Sequence, residues 1–157
     1  MATKDERDLM LERVVDVSPE LVFKAWTTPK HLMPWFCPKP YRTVECEIDL
    51  KPGGKFFAQM VDPNGNKLPA EPGCYLEVVP NRKLVFTDAY TGDWNPKTSG
   101  KPFMTGIITL DDEDGKTRYT ARVRHWSAED KKTHEDMGFH TGWGICTDQL
   151  AALAKTI

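Results

Sequence analysis

Hydrophobic residues recur along this chain at two periods. Most of residues 8–126 alternates at a period of two, the pattern of half-buried strands, whereas residues 127–157 do not. In that last stretch Phe139, Trp143, Cys146, Leu150, Leu153 and Ile157 follow one another at steps of three or four, which places all of them on one side of an α-helix. Ser127 stands where an N-cap should, and Glu129 and Asp130 fall in the first turn, where the helix dipole favours negative charge. The pattern predicts one long amphipathic helix over 127–157, set against a strand-rich sheet.

The strands come in order. Residues 8–17 form the first, with Leu9, Leu11, Val15 and Val17 on one parity and Arg13 interrupting them. Ser18 followed by Pro19 opens a helix whose apolar face is Leu21, Val22, Ala25 and Trp26, and Thr28 with Pro29 opens a second, shorter one. The three prolines of 34–40 block both helix and regular strand, yet that loop holds Trp35 and Phe36. In 41–50, Val44, Cys46, Ile48 and Leu50 face one way, and Thr43, Glu45, Glu47 and Asp49 the other, as in a sheet with one covered side. Strands at 55–61, 74–79, 83–88, 103–110 and 117–126 follow, separated by turn chemistry and, at 90–102, by a long loop with Tyr90 and Trp94. On the last strand Tyr119, Ala121, Val123 and His125 share the inward face, and Arg118, Thr120, Arg122 and Arg124 point away. The order β, α, α, six β, α predicts an antiparallel meander of the α+β class.

Composition narrows the function classes. At 157 residues the chain is expected to be a single domain over 1–157. Its net charge of −2 offers no basic field for nucleic acid, and no apolar run approaches the roughly 20 residues of a membrane span, so neither nucleic-acid binding nor membrane insertion is expected. The first residues lack the apolar core of a secretory leader, which makes the cytoplasm the default location. Cys37, Cys46, Cys74 and Cys146 form no C-x-x-C pair and read as free thiols, with Cys46 and Cys146 buried in apolar stripes.

Four stretches carry a resemblance: VVDVSPELVFKAWTTPKHLMPWFCP (14–38), EIDLKPGGKF (47–56), GCYLEVVPNRKLVFT (73–87) and GWGICTDQLAAL (142–153). In this order, over nearly the whole chain, they resemble the START-like (SRPBCC) superfamily, in its AHSA-type branch, named after a domain of the activator of a heat-shock chaperone ATPase. The resemblance implies a helix-grip (START/Bet v-like) fold: a curved antiparallel sheet wrapped around a long C-terminal helix, with two short helices after the first strand. It also implies a cavity between sheet and helix, able to bind an apolar or aromatic small molecule. The expected lining is Trp26, Trp35, Phe56, Met60, Phe86, Tyr119, His125, His140, Gly142 and Trp143. Family members commonly have a second Trp where this chain has Phe36, a change at the mouth of such a pocket. Because the superfamily includes chaperone partners and some enzymes, a heat-shock chaperone partner and a cyclase or hydrolase using His125 and His140 are the alternative functions. Monomer and homodimer are both compatible with the sequence.

The residues themselves assign no catalytic group, cofactor or metal. His134-Glu135 begins a zinc-protease motif, but Gly138 stands where the second histidine must be. There is no G-x-S-x-G, and the acidic stretch 111–114 is most simply a solvated hairpin end. His125, on an inward face, is more simply a hydrogen-bonded core histidine than a base. Gly138, Gly142 and Gly144 are the oddity, since each costs a helix interior about 1 kcal/mol relative to Ala. Gly142 lies beside the apolar stripe, where it would leave room for a ligand or a strand. Gly144 projects to the other side, and a kink or a later helix start would accommodate both.

Overall fold

The computed structural model describes residues 6–157. The expectation of no leader rests in part on residues 1–5, which lie outside the described residues. The elements are β1 (Asp8–Val15), α1 (Pro19–Thr27), α2 (Pro29–Leu32), β2 (Arg42–Ile48), β3 (Lys55–Val61), β4 (Gly73–Val79), β5 (Lys83–Thr87), β6 (Met104–Glu113), β7 (Lys116–His125), α3 (Ala128–Asp136) and α4 (Phe139–Ala154). The strands form one curled antiparallel sheet in the order β1-β7-β6-β5-β4-β3-β2, so β2 to β7 is a meander and β1 closes onto the last strand. This is the α+β helix-grip fold, with α1 and α4 packed on the sheet.

Local chemistry accounts for most boundaries. The Ser18 hydroxyl accepts from the Leu21 amide, and Pro19 occupies the first turn of α1, where its missing N–H costs nothing. The β6–β7 hairpin turns on Asp114 and Gly115 alone, at φ 54° and 86°, the left-handed pair that a two-residue hairpin requires. The acidic stretch thus belongs mostly to strand, and Glu113 is held by Arg118, which also grips Glu12 on β1. On β7 the expected alternation holds: Tyr119, Ala121, Val123 and His125 are buried, and the arginines point outward. The four cysteines are free thiols, with Cys37 and Cys74 buried and Cys46 and Cys146 half-buried.

Two expectations are corrected. On β2 the pairing register shifts between Thr43 and Glu45, so Val44 is the extra residue of a bulge. A bulge reverses the facing of the residues beyond it, and Val44 is 45% exposed while Thr43 is buried. Leu50 lies beyond the strand and is also exposed. The second correction concerns the long helix, which is two helices. Ser127 caps α3 by accepting from the Asp130 amide, as its position suggested. Gly138 then adopts a left-handed φ of 98°, ends α3 and starts α4. The apolar stripe survives because it lies almost wholly in α4: Phe139 and Leu150 are buried, and Trp143, Cys146 and Leu153 pack on the core. Ile157 does so from just past the helix end. By contrast, α3 has no fully buried residue, and His134 is half-buried.

Two sequence oddities explain one another. Arg13, which interrupts the apolar parity of β1, turns its guanidinium onto α4, where Nη1 donates to the Gly144 carbonyl at 3.1 Å and to Asp148 Oδ1 at 2.8 Å. A Cβ on Gly144 would lie 2.6 Å from Arg13 Nη2, so the missing side chain is what lets the guanidinium reach the helix backbone. Gly142 has no such neighbour, and its Cβ would meet only Pro38 Cγ at 3.8 Å, an ordinary contact.

Candidate functional site

Between the concave face of the sheet and α1 and α4 lies a cavity of about 290 Å³. The sheet contributes Met60, Phe86, Met104 and Tyr119; α1 contributes Trp26; α4 contributes Trp143, Cys146 and Thr147. The proline-rich loop after α2 supplies Trp35, Phe36, Cys37 and Pro38, and α3 supplies His134. Trp26 and Trp35 meet edge to face at 4.8 Å between ring centroids, and Phe36 closes edge-on against Trp26 at 5.7 Å. Offset and edge-on contacts of this kind add stability beyond simple burial and hold the rings in place.

The wall's polar atoms are largely bonded within the protein. Trp35 Nε1 donates to the Ala25 carbonyl, and Trp26 Nε1 donates to the Tyr119 hydroxyl, each at 3.2 Å. The Thr147 hydroxyl turns back to donate to the Trp143 carbonyl at 2.7 Å. Burial, with a smaller contribution from Cys37, pushes the Cys146 thiol up to about 12, and burial also raises Cys37 against the opposing hydrogen bond from Thr43. Both therefore remain neutral thiols and serve as apolar wall rather than as nucleophiles. Burial likewise raises the Tyr119 phenol, so it stays protonated.

At one end of the cavity, two histidines meet. His125, 2% exposed, places Nδ1 2.8 Å from the Arg7 carbonyl and Nε2 2.8 Å from His134 Nδ1. A carbonyl only accepts, so in the neutral ring His125 Nδ1 carries the proton and Nε2 is a lone pair. His134 Nδ1–H must then be the donor between them, which leaves His134 Nε2 as an acceptor. Burial, reinforced by the proximity of His125, lowers the pKa of His134 to about 4. An unfolded chain takes up this proton near the ordinary value of 6.5, whereas the folded chain resists until about 4. The stability held by the neutral ring is therefore complete above the higher value and is lost as pH falls through this window, with unfolding taking up about one proton. Urea midpoints measured across the window should fall further for the wild type than for a His134→Phe variant. An equal fall in both would contradict the assignment.

Of the residues expected at the site, Trp26, Trp35, Met60, Phe86, Tyr119 and Trp143 come together on the wall. Phe56 stands one layer back, stacked on Tyr75 at 5.4 Å and edge-on to Phe86 at 5.2 Å, where it supports the wall without joining it. His125 stands behind His134. His140 does not reach the cavity: it is exposed on α4, 3.6 Å from Glu135, about 100° round the helix from the inward-facing Phe139. The expected pairing of His125 with His140 is thus replaced by His125 with His134. Gly142 sits beside Pro38 and is not part of the wall. Among the residues not anticipated, His134 matters most, and its only signal was being the one ring in the charged sequence of α3. Among the described residues, no three His, Cys, Asp or Glu side chains gather as metal ligands, and no helix is long and apolar enough to cross a membrane.

Comparison with known proteins places this geometry. A crystal structure of a protein from Nitrosomonas europaea is 41% identical and superimposes with a TM-score of 0.92, covering 98% of this chain and 97% of that one. A Mycobacterium smegmatis protein is 26% identical with a TM-score of 0.77, over 94% of this chain and 90% of its own. The AHSA1-like protein from Aeromonas hydrophila shares the fold at a TM-score of 0.71 and 17% identity, covering 95% and 92% of the two chains. A search of curated proteins found no match. The profile described as Activator of Hsp90 ATPase homolog 1-like protein matches residues 16–155, and with nearly the full chain covered, this protein belongs to that family.

Proposed function

We propose that this chain binds an apolar or aromatic small molecule in the cavity between its sheet and α4. The observation that carries this reading is the wall itself: about 290 Å³ lined mostly by apolar side chains, with the Trp26 and Trp35 N–H groups already bonded inside the protein. Such a surface gains by excluding water when an apolar or aromatic molecule fills it. The lining is Trp26, Trp35, Met60, Phe86, Tyr119 and Trp143 with the neighbours described above, and no catalytic role is assigned to it. Residues 1–157 act as one domain in this reading, in the cytoplasm, as a monomer or homodimer.

The neutral dye N-phenyl-1-naphthylamine, which brightens in apolar surroundings, tests the reading. Wild-type protein should enhance its emission, and Cys146→Phe, which places a ring in the cavity from α4, should abolish the enhancement with the circular dichroism spectrum unchanged. Emission equal in both proteins, or absent from the wild type, would sink the proposal. The family description supports a second reading, a heat-shock chaperone as partner with a role in the stress response.

A further inference from the structure

Besides the Trp143 indole N–H, which has no acceptor among the described residues, the cavity wall holds two polar atoms whose bonding capacity the protein leaves unused. The first is the Tyr119 hydroxyl. Its oxygen accepts from Trp26 Nε1 at 3.2 Å, but its own proton has no acceptor among the described residues, although the side chain is 1% exposed. A buried donor left without an acceptor is costly, and one on a cavity wall finds its acceptor in whatever fills the cavity. A second buried phenol, Tyr75, also lacks a partner, but it is not part of this wall. The other atom is His134 Nε2. The Arg7 carbonyl fixes the tautomer of His125, which in turn fixes that of His134, so this nitrogen can only accept.

The wall therefore offers the Tyr119 and Trp143 donors and one acceptor, His134 Nε2, in otherwise apolar surroundings. It carries no Asp, Glu, Lys or Arg. A charged occupant would lose its hydration there without gaining a counter-ion. A bare hydrocarbon would fill the space but leave these polar atoms unsatisfied.

Building on the binding reading above, we propose that the occupant is an uncharged hydroxylated aromatic molecule, whose hydroxyl groups give Tyr119 an acceptor and His134 Nε2 a donor. Recognition follows from the two requirements together. An ether or ketone answers only the donors, and a carboxylate cannot donate to His134.

Calorimetric titration at neutral pH with naphthalene, 2-naphthol and 2-naphthoate separates the possibilities. The wild type should bind 2-naphthol about tenfold more tightly than naphthalene, the gain expected of one well-made hydrogen bond. It should bind 2-naphthoate more weakly than either. In a His134→Phe, Tyr119→Phe double variant, naphthalene should still bind and the preference for 2-naphthol should vanish. Tyr119→Phe also deprives Trp26 of its acceptor, so if the double variant fails to fold, His134→Phe alone must narrow the preference.

Equal affinity for naphthalene and 2-naphthol in the wild type would overturn this inference and leave cavity binding intact. So would naphthoate binding as tightly as naphthol, or a preference unchanged in the variants. Failure of all three compounds to bind would overturn the cavity reading as well.

Discussion

A Gly54→Ala variant is expected to lose much of the stability of the native fold. Gly53 and Gly54 lie where three segments meet: the Gly53 amide donates to the Tyr75 carbonyl at 2.7 Å, the Tyr75 amide donates to Gly54 at 2.9 Å, and the Asp93 amide donates to Gly53 at 2.7 Å. The turn from Asp49 to Lys51 folds back over this pair, and a Cβ on Gly54 would fall 1.9 Å from the Asp49 carbonyl oxygen and 2.9 Å from that of Lys51. These are backbone atoms, held by the bonds that join β2 to β3 and the turn to β4, so no rotamer change relieves the clash. A cost of about 4 kcal/mol or more, the range reserved for broken special sites, is a large share of the roughly 5–15 kcal/mol that keeps a domain folded. Gly65→Ala is the control. Gly65 has a left-handed φ of 87° but nothing within 4 Å of its Cβ, so the expected loss is about 1–2 kcal/mol of backbone strain. Thermal unfolding followed by circular dichroism distinguishes the two. A Gly54→Ala melting temperature close to that of Gly65→Ala would show that the turn can yield.

The second large effect falls on the cavity. Gly106, on β6, pairs with Phe86 on β5, and the Phe86 ring lies across it. A Cβ there would stand 2.5 Å from Phe86 Cζ and 2.6 Å from Cε2. Gly106→Ala must push this ring away from the sheet, and the space on that side is the cavity. Overpacking of this kind costs about 1–3 kcal/mol, and the dye enhancement should fall with it. Phe86→Leu alone should also destabilise, by removing ring contacts with Trp26 and Phe56. In the double variant the smaller leucine makes room for the new methyl group, so the combined loss should be smaller than the sum of the two. Additive losses in urea unfolding would mean that the added methyl group and the Phe86 ring do not compete for the same space.

What was legible in the sequence obeys a physical division. β7 could be read residue by residue because one face is buried along its whole length and nothing disturbs its register with β6. The capped start of α1 was equally plain, since Ser18 and Pro19 act through the local backbone. The facing of Val44 was hidden because a bulge adds a residue without altering composition, and only the partner strand reveals it. The break at Gly138 was hidden for a related reason. The stripe from Phe139 onward keeps its period whether or not a helix precedes it, and the charged sequence before it suits a helix too. Six of the ten residues expected at the site stand on the cavity wall, because aromatic residues on inward faces have few other places to go. His134 was out of reach. Nothing in the period of α3 says which side meets the sheet, and its partner is set by tertiary packing at the end of β7.

The closure of β1 onto β7 bears on how the chain acquires its shape during synthesis. Asp8 pairs in register with Arg124, and their side chains are joined across 116 residues of chain. As the polypeptide leaves the ribosome, β1 emerges first and waits for a neighbour made more than a hundred residues later, while the β2–β7 meander can assemble strand by strand as it is made. Loop closure over such a span is entropically expensive and slow, and until it happens the outer edge of β7 and the apolar side of β1 are both open to other chains. The interval between completing the meander and docking the first strand is therefore when this protein is most exposed to aggregation.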